Sequence, residues 1–133
     1  MKVLAVDYGK KRIGLALGDT LLKIASPLCV LKNNGGVIEK INELVNEYKV
    51  SLLIVGLPLT PRGLKGQRAE EVEEFIKTLR EKLPQDVEIL TWDERYTTKE
   101  ADWLLKELPQ IKRKKIRDSV SAYVILKEYL ESL

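Results

Sequence analysis

The stretch "SLLIVGLP", residues 51–58, limits the fold more than any other part of the chain. It is apolar without alternation and ends in Gly-Leu-Pro. A strand that is hydrophobic on both faces must be covered on both faces, which is the situation of a parallel sheet flanked by helices. The segment before it has a different period. After "NNGG", residues Val37, Ile38, Ile41, Leu44, Val45 and Tyr48 fall at helical spacing. A helix leading into a buried strand is the repeating unit of an α/β sheet.

Three shorter apolar runs, at 2–6, 13–17 and about 24–31, read as strands of an antiparallel meander. The spacing of Val72, Phe75, Ile76 and Leu79 predicts a second helix over about 67–82, before "PQD" and a strand "VEILTW" at 87–92. A third helix is expected after Thr97–Thr98, and a fourth from about 115 to the end. The order is βββαβαβαα. With 133 residues, 44% hydrophobic and 32% charged, the chain is expected to form one α/β domain over 1–133. No apolar run approaches the roughly 20 residues that cross a bilayer, and no signal-peptide pattern opens the sequence, so a cytoplasmic protein without a membrane partner is expected. Cys29, in "SPLCVLK", has no second cysteine to pair with and reads as a small buried apolar side chain.

The chain contains no histidine. That removes Ser-His-Asp and Cys-His catalysis, histidine-ligated zinc and imidazole general bases. Hydrolytic chemistry must then rest on carboxylates. If the strands at 2–6, 51–56 and 87–92 run parallel, their carboxyl ends share one edge of the sheet, where open α/β sheets build sites. Asp7 lies at that edge after the first strand, and the pair Asp93–Glu94 after the fifth. Asp118, in "RDSVSAYVIL", shares a helix face with Ala122 and Ile125, and a carboxylate on an inner face needs a partner or a metal. The plain alternatives are a turn-forming Asp7 and a Glu94 that merely opens a helix capped by Thr97 or Thr98. Carboxylates converging from distant segments suit Mg²⁺ or Mn²⁺, hard cations that bind phosphate alongside one or two protein carboxylates. Such ions activate water without any histidine.

The net charge of +3 is small, so the location of the cations matters more than their total. Lys10, Lys11 and Arg12 follow Asp7. Lys112, Arg113, Lys114, Lys115 and Arg117 form a dense run just ahead of Asp118. A cation run near a helix start opposes the helix dipole, which favours an external anion over a merely solvated surface. The loop "GLPLTPRGLKGQRAEEVEEF" places Thr60, Lys65 and Gln67 near a helix start, where backbone N–H groups can accept a phosphate. It lacks the Gly-Lys-Ser/Thr signature of a Walker loop. Trp92, Trp103 and Tyr123 are spaced as core or half-buried residues.

Four motifs, "VDYGKKRIGLALGD", "IVGLPLTPRGLKGQRAEEVEEF", "DERYTTKEAD" and "DSVSAYVIL", occur in an order that resembles the YqgF (RuvX) family of ribonuclease H-like proteins and cover nearly the whole chain. The resemblance implies a mixed five-stranded sheet of order 3-2-1-4-5, its second strand antiparallel, flanked by helices. It implies a metal-dependent nuclease with Asp7, Glu94 and Asp118 as catalytic and metal-binding acids, and Asp93 and Arg95 as neighbours in the same motif. The implied substrate is structured nucleic acid: first the 5′ end of precursor 16S ribosomal RNA, within a pre-ribosomal particle or free, and as alternative a Holliday junction in DNA. A non-catalytic nucleic-acid-binding module is the third reading. The chain is expected to act as a monomer or weak homodimer. "DYGKKRIGLALGD" also resembles the first phosphate loop of actin-like ATPases and sugar kinases, but those need two such domains to enclose a nucleotide and 133 residues supply one.

Overall fold

A computed structural model describes residues 1–58, 63–93 and 110–133, with residues 110–118 described by their backbone alone. Five strands form one sheet: β1 (Lys2–Tyr8), β2 (Arg12–Asp19), β3 (Ile24–Lys32), β4 (Val50–Leu57) and β5 (Glu88–Asp93). The helices are α1 (Val37–Glu47), α2 (Gln67–Lys82) and α3 (Gln110–Glu131). The strand order is β3-β2-β1-β4-β5. β2 is antiparallel to both β1 and β3, while β4 is parallel to β1 and β5. The expected third helix after Thr97–Thr98, with Trp103, lies outside the described residues.

The continuous apolar run of β4 is explained by its neighbours. Leu53 and Val55 enter the core shared with α1 and α2, and Leu52 and Ile54 enter the core beneath α3. β1 divides in the same way, Leu4 and Val6 toward α1 and α2, Val3 and Ala5 toward α3. Each fully buried Leu or Val contributes about 1.5–3 kcal/mol relative to exposure, so a one-residue slip of either strand would exchange both faces at large cost. α2 occupies the span its periodicity predicts and buries Ala69, Val72, Phe75, Ile76 and Leu79.

The α3 face of β2 is built from small residues, Gly14, Ala16 and Gly18. The helix can therefore approach closely: a side-chain carbon on Gly18 would lie 2.9 Å from Leu126 Cδ2 and 2.6 Å from the Ile24 carbonyl oxygen. α3 brings Ala122, Ile125, Leu126 and Leu130 onto this surface. Its start differs from expectation, at Gln110 in place of about 115, so the cationic run 112–117 lies within the first two turns of the helix. The N-terminal edge of the sheet is tied by Thr20, whose N–H donates to the Met1 carbonyl at 3.0 Å, and by Asp19, whose carboxylate accepts from Leu21 N–H at 2.8 Å. Cys29 is half-buried, not buried, because β3 is an edge strand, and burial raises its thiol pKa. No described helix is long and apolar enough to cross a membrane.

Candidate active site at the carboxyl edge of the sheet

β1 continues to Tyr8, so Asp7 sits inside the strand and its direction is set by alternation. Val3 and Ala5 face α3, and Asp7 follows them onto that face, half-buried. Its cross-strand partner on β2 is Gly14. On β4 the register pairs Val6 with Val55, which places Gly56 beside Asp7. Gly56 in turn pairs with Trp92 on β5. The row across the edge reads Gly14, Asp7, Gly56, Trp92. In this row a single carboxylate stands between two residues without side chains. Glycine inside a strand often marks a close approach by a ligand or another backbone, and that was the signal available in "RIGLALG" and "IVGLP".

The other expected acids are placed less completely. β4 ends in Gly56 and Leu57, with Pro58 after it, and brings no acid to the edge. Asp93 closes β5 two strand spacings from β1, about 10 Å away in backbone terms. Ile89 packs in the α1/α2 core and Trp92 in the α3 core, so by alternation Asp93 belongs to the face opposite Asp7. It is therefore the poorer partner for Asp7. Glu94, Arg95 and Thr60 lie outside the described residues. Residue 118 is one helical turn ahead of Ala122, which is fully buried under Val3 and Ala5 in the same apolar cluster. The side chains of Lys112, Arg113, Lys114, Lys115, Arg117 and Asp118 lie outside the described ones. Among the described residues no three acids or cysteines gather as a metal cluster.

Trp92 is engaged in structure, not poised for stacking. Its indole Nε1–H donates to Glu128 Oε2 at 2.9 Å, and its ring meets Tyr129 edge-on with centroids 5.9 Å apart. This joins β5 to the last turns of α3.

The β1–β2 turn carries Lys10, Lys11 and Arg12, all exposed, at the carboxyl edge next to Asp7. Two features hold it there. Gly9 packs so tightly that a side-chain carbon would run into the Arg12 carbonyl. Asn33, just past β3, donates from Nδ2 to the Gly9 carbonyl at 2.8 Å, and its backbone N–H donates to the Lys11 carbonyl at 2.9 Å. Asn33 was not legible as a functional position, since the contact spans 24 residues. The start of α2 reaches the same edge. Arg68 Nη2 approaches the Tyr8 carbonyl oxygen at 3.5 Å, and Lys10 Nζ lies 3.8 Å from Glu71 Oε1. Lys65 is paired with Glu73 at 2.7 Å. The structure thus gathers Asp7, Lys10, Lys11 and Arg12 around one edge.

Comparisons with known proteins give the family. The family model described as "RuvX: Holliday junction resolvase" matches residues 1–132. The chain belongs to the RuvX family. A relative from Sulfurihydrogenibium sp., named "Putative pre-16S rRNA nuclease", is 41% identical over 132 residues, covering 99% of this chain and 91% of the relative. One of the same name from Thermoanaerobacter pseudethanolicus is 38% identical over 137 residues, covering 99% and 97%. Among solved structures, the fowlpox virus Holliday junction resolvase superposes with a TM-score of 0.62 at 14% identity, covering all of both chains. Thermus thermophilus RuvC in complex with a Holliday junction gives 0.60 at 16%, covering 99% of this chain and 94% of the other. At such identities these two establish the fold alone. The RuvX chain and RuvC share the mixed five-stranded sheet of order 3-2-1-4-5 with flanking helices.

Proposed function

We propose that this chain, a phosphodiester hydrolase by family, processes the 5′ end of precursor 16S ribosomal RNA in the cytoplasm, with Asp7, Glu94 and Asp118 as its catalytic acids. The observation that carries the substrate is the name shared by relatives 38–41% identical across at least 91% of both chains. The family description favours a second reading, cleavage of Holliday junctions.

The residues present suit Mg²⁺ or Mn²⁺. Asp7 offers hard oxygen donors in a row otherwise free of side chains on β2 and β4, and a hard cation held through few carboxylates keeps coordination positions for phosphate and water. Glu94 and Asp118 would complete the donor set. Bound there, the metal supplies Lewis-acid polarisation of the phosphate and a nucleophilic water at neutral pH. Asp7 also sets the polarity of the edge, because a half-buried carboxylate repels a phosphate unless cations intervene. Lys10, Lys11 and Arg12, held by Gly9 and Asn33, supply such cations on the strand side. Lys112, Arg113, Lys114, Lys115 and Arg117 supply them from the first turns of α3, with Thr60, Lys65 and Arg95 as further contacts.

A two-fold dimer cuts two junction strands symmetrically, whereas one small domain with one carboxylate site suffices to trim a single strand. A monomer or weak homodimer therefore fits RNA processing. The test offers the purified protein, with Mg²⁺ or Mn²⁺, a 16S precursor carrying its 5′ extension and, separately, a mobile four-way junction. Shortening of the precursor by wild-type protein and not by Asp7→Asn is the expected outcome. Paired symmetric cuts in the junction with the precursor left whole would establish the second reading, and binding without any cleavage would establish a non-catalytic module.

A further inference from the structure

We propose that Arg68, together with Lys10, forms a subsite for one backbone phosphate of the nucleic-acid strand next to the Asp7 site, and that Glu71 is the internal counter-ion this phosphate displaces. The proposal rests on the nuclease reading for its substrate class but not for its test.

A cleft of about 420 Å³ opens between the β1–β2 turn and the start of α2, lined by Lys10, Gln67, Arg68 and Glu71. Among the described residues it contains two cations and an amide donor, all exposed, and one acid. Within it Arg68 Nη2 points at the carbonyl of Tyr8, the residue after Asp7. Tyr8 packs its ring on Phe75 of α2 with centroids 4.8 Å apart, so the helix and the strand end form one support. The carboxylate of Asp7 belongs to the α3 face of the sheet, whereas the cleft lies on the α2 side of the same edge. A strand crossing that edge would meet the two in succession.

A guanidinium presents five N–H donors in a fixed fork suited to phosphate. The single distance to Tyr8, 3.5 Å, is at the long limit of a hydrogen bond and is a weak reason for an arginine to be there. Glu71 argues against a permanently held anion. Its pairing with Lys10 is loose, at 3.8 Å, with the lysine side chain 76% exposed and the glutamate 30%. Exposed pairs of this kind are worth little, so an incoming phosphate can take Lys10 from Glu71 at small cost. The acid keeps Lys10 over the cleft while it is empty and lowers affinity for stray anions.

Binding of a labelled single-stranded RNA, the 5′ extension of 16S precursor, is measured in the Asp7→Asn background at constant Mg²⁺ and varied KCl. Adding Arg68→Gln should weaken binding about tenfold and lower the log–log salt slope by about 0.7, the value for one phosphate contact on a single strand. Adding Glu71→Gln should tighten binding about two- to fivefold, and that gain should vanish when Lys10→Gln is also present. Lys77→Gln, an exposed lysine further along α2, is the control and should leave the slope as it was. A lowered melting temperature of Arg68→Gln with an intact slope would make Arg68 a purely structural tie and overturn the proposal, as would weaker binding by Glu71→Gln. Cleavage by the wild-type chain is scored separately. A chain that never cleaves but shows these slope changes keeps the subsite and loses the nuclease reading, and one that cleaves without them loses the subsite alone.

Discussion

Asp7 and Asp19 stand near opposite ends of the β1–β2 hairpin, and their surroundings show how one residue type serves two ends. Asp19 is satisfied locally. Its carboxylate accepts from the N–H groups of Leu21 and Leu22 at 2.8 and 3.4 Å and lies 3.7 Å from both the N-terminal amine and Lys2 Nζ. These hold its pKa below the ordinary 3.8, the Leu21 N–H foremost, with burial opposing. A depressed folded pKa means that the charged form favours folding. That stabilisation is complete above the ordinary carboxylate range and is lost as pH falls through the lowered folded value. Asp19→Asn keeps an acceptor for the turn and removes only the charge. Its melting temperature should lie below that of wild type near neutral pH and converge with it in strong acid, which a pH series of thermal melts would check. Asp7 lies in a row with Gly14 and Gly56, and Asp7→Asn keeps the size and shape of its side chain while removing the charge. Asp7→Asn should leave the melting temperature within a degree or two while abolishing metal-dependent cleavage. Cleavage retained by that variant would remove Asp7 from the site.

At the level of elements, the turn between β1 and β2 is the piece on which the edge depends. Gly9 leaves no space for a side-chain carbon against the Arg12 carbonyl, and overpacking against backbone costs about 1–3 kcal/mol. Gly9→Ala should therefore lower the melting temperature by several degrees and weaken nucleic-acid binding through the displaced Lys10, Lys11 and Arg12. Asn33→Ala removes only the clamp, and should cost binding with a smaller loss of stability; equal binding by both variants and wild type would show that the turn takes no part. Much of this architecture was legible in the residues. The unalternating "SLLIVGLP" located the doubly covered strand, and the spacing of Val72, Phe75, Ile76 and Leu79 located α2, because both signals come from burial. The start of α3 was misplaced by about five residues, since "QIKRKK" has a helical backbone but neither an acidic first turn nor an apolar period to announce it. Asn33, Arg68 and the row Gly14, Asp7, Gly56, Trp92 were not legible as a set. Each depends on a pairing between segments remote in sequence, which no local pattern encodes.

For the whole molecule, the charge balance separates two views of how it holds nucleic acid. The net charge is only +3, from 23 cations and 20 acids, so a diffuse attraction by total charge would be weak and easily screened. The cations named here are instead concentrated in the β1–β2 turn, the approach to α2 and the first turns of α3. If location governs, removing cations at that edge must matter far more than removing the same number elsewhere. Replacing Lys112, Arg113, Lys114 and Lys115 with Gln changes the net charge from +3 to −1, and so does replacing the exposed Lys23, Lys40, Lys77 and Lys82. The two variants have equal charge and differ only in where it was lost. With a duplex RNA ligand, the first should lose about 0.9 from the log–log salt slope for every phosphate contact removed, and the second should keep the wild-type slope. Equal reductions in both would mean that net charge alone draws the ligand in, and that the run from Lys112 to Arg117 is solvated surface. A reduction confined to the first would place the phosphate contacts on the opening turns of α3.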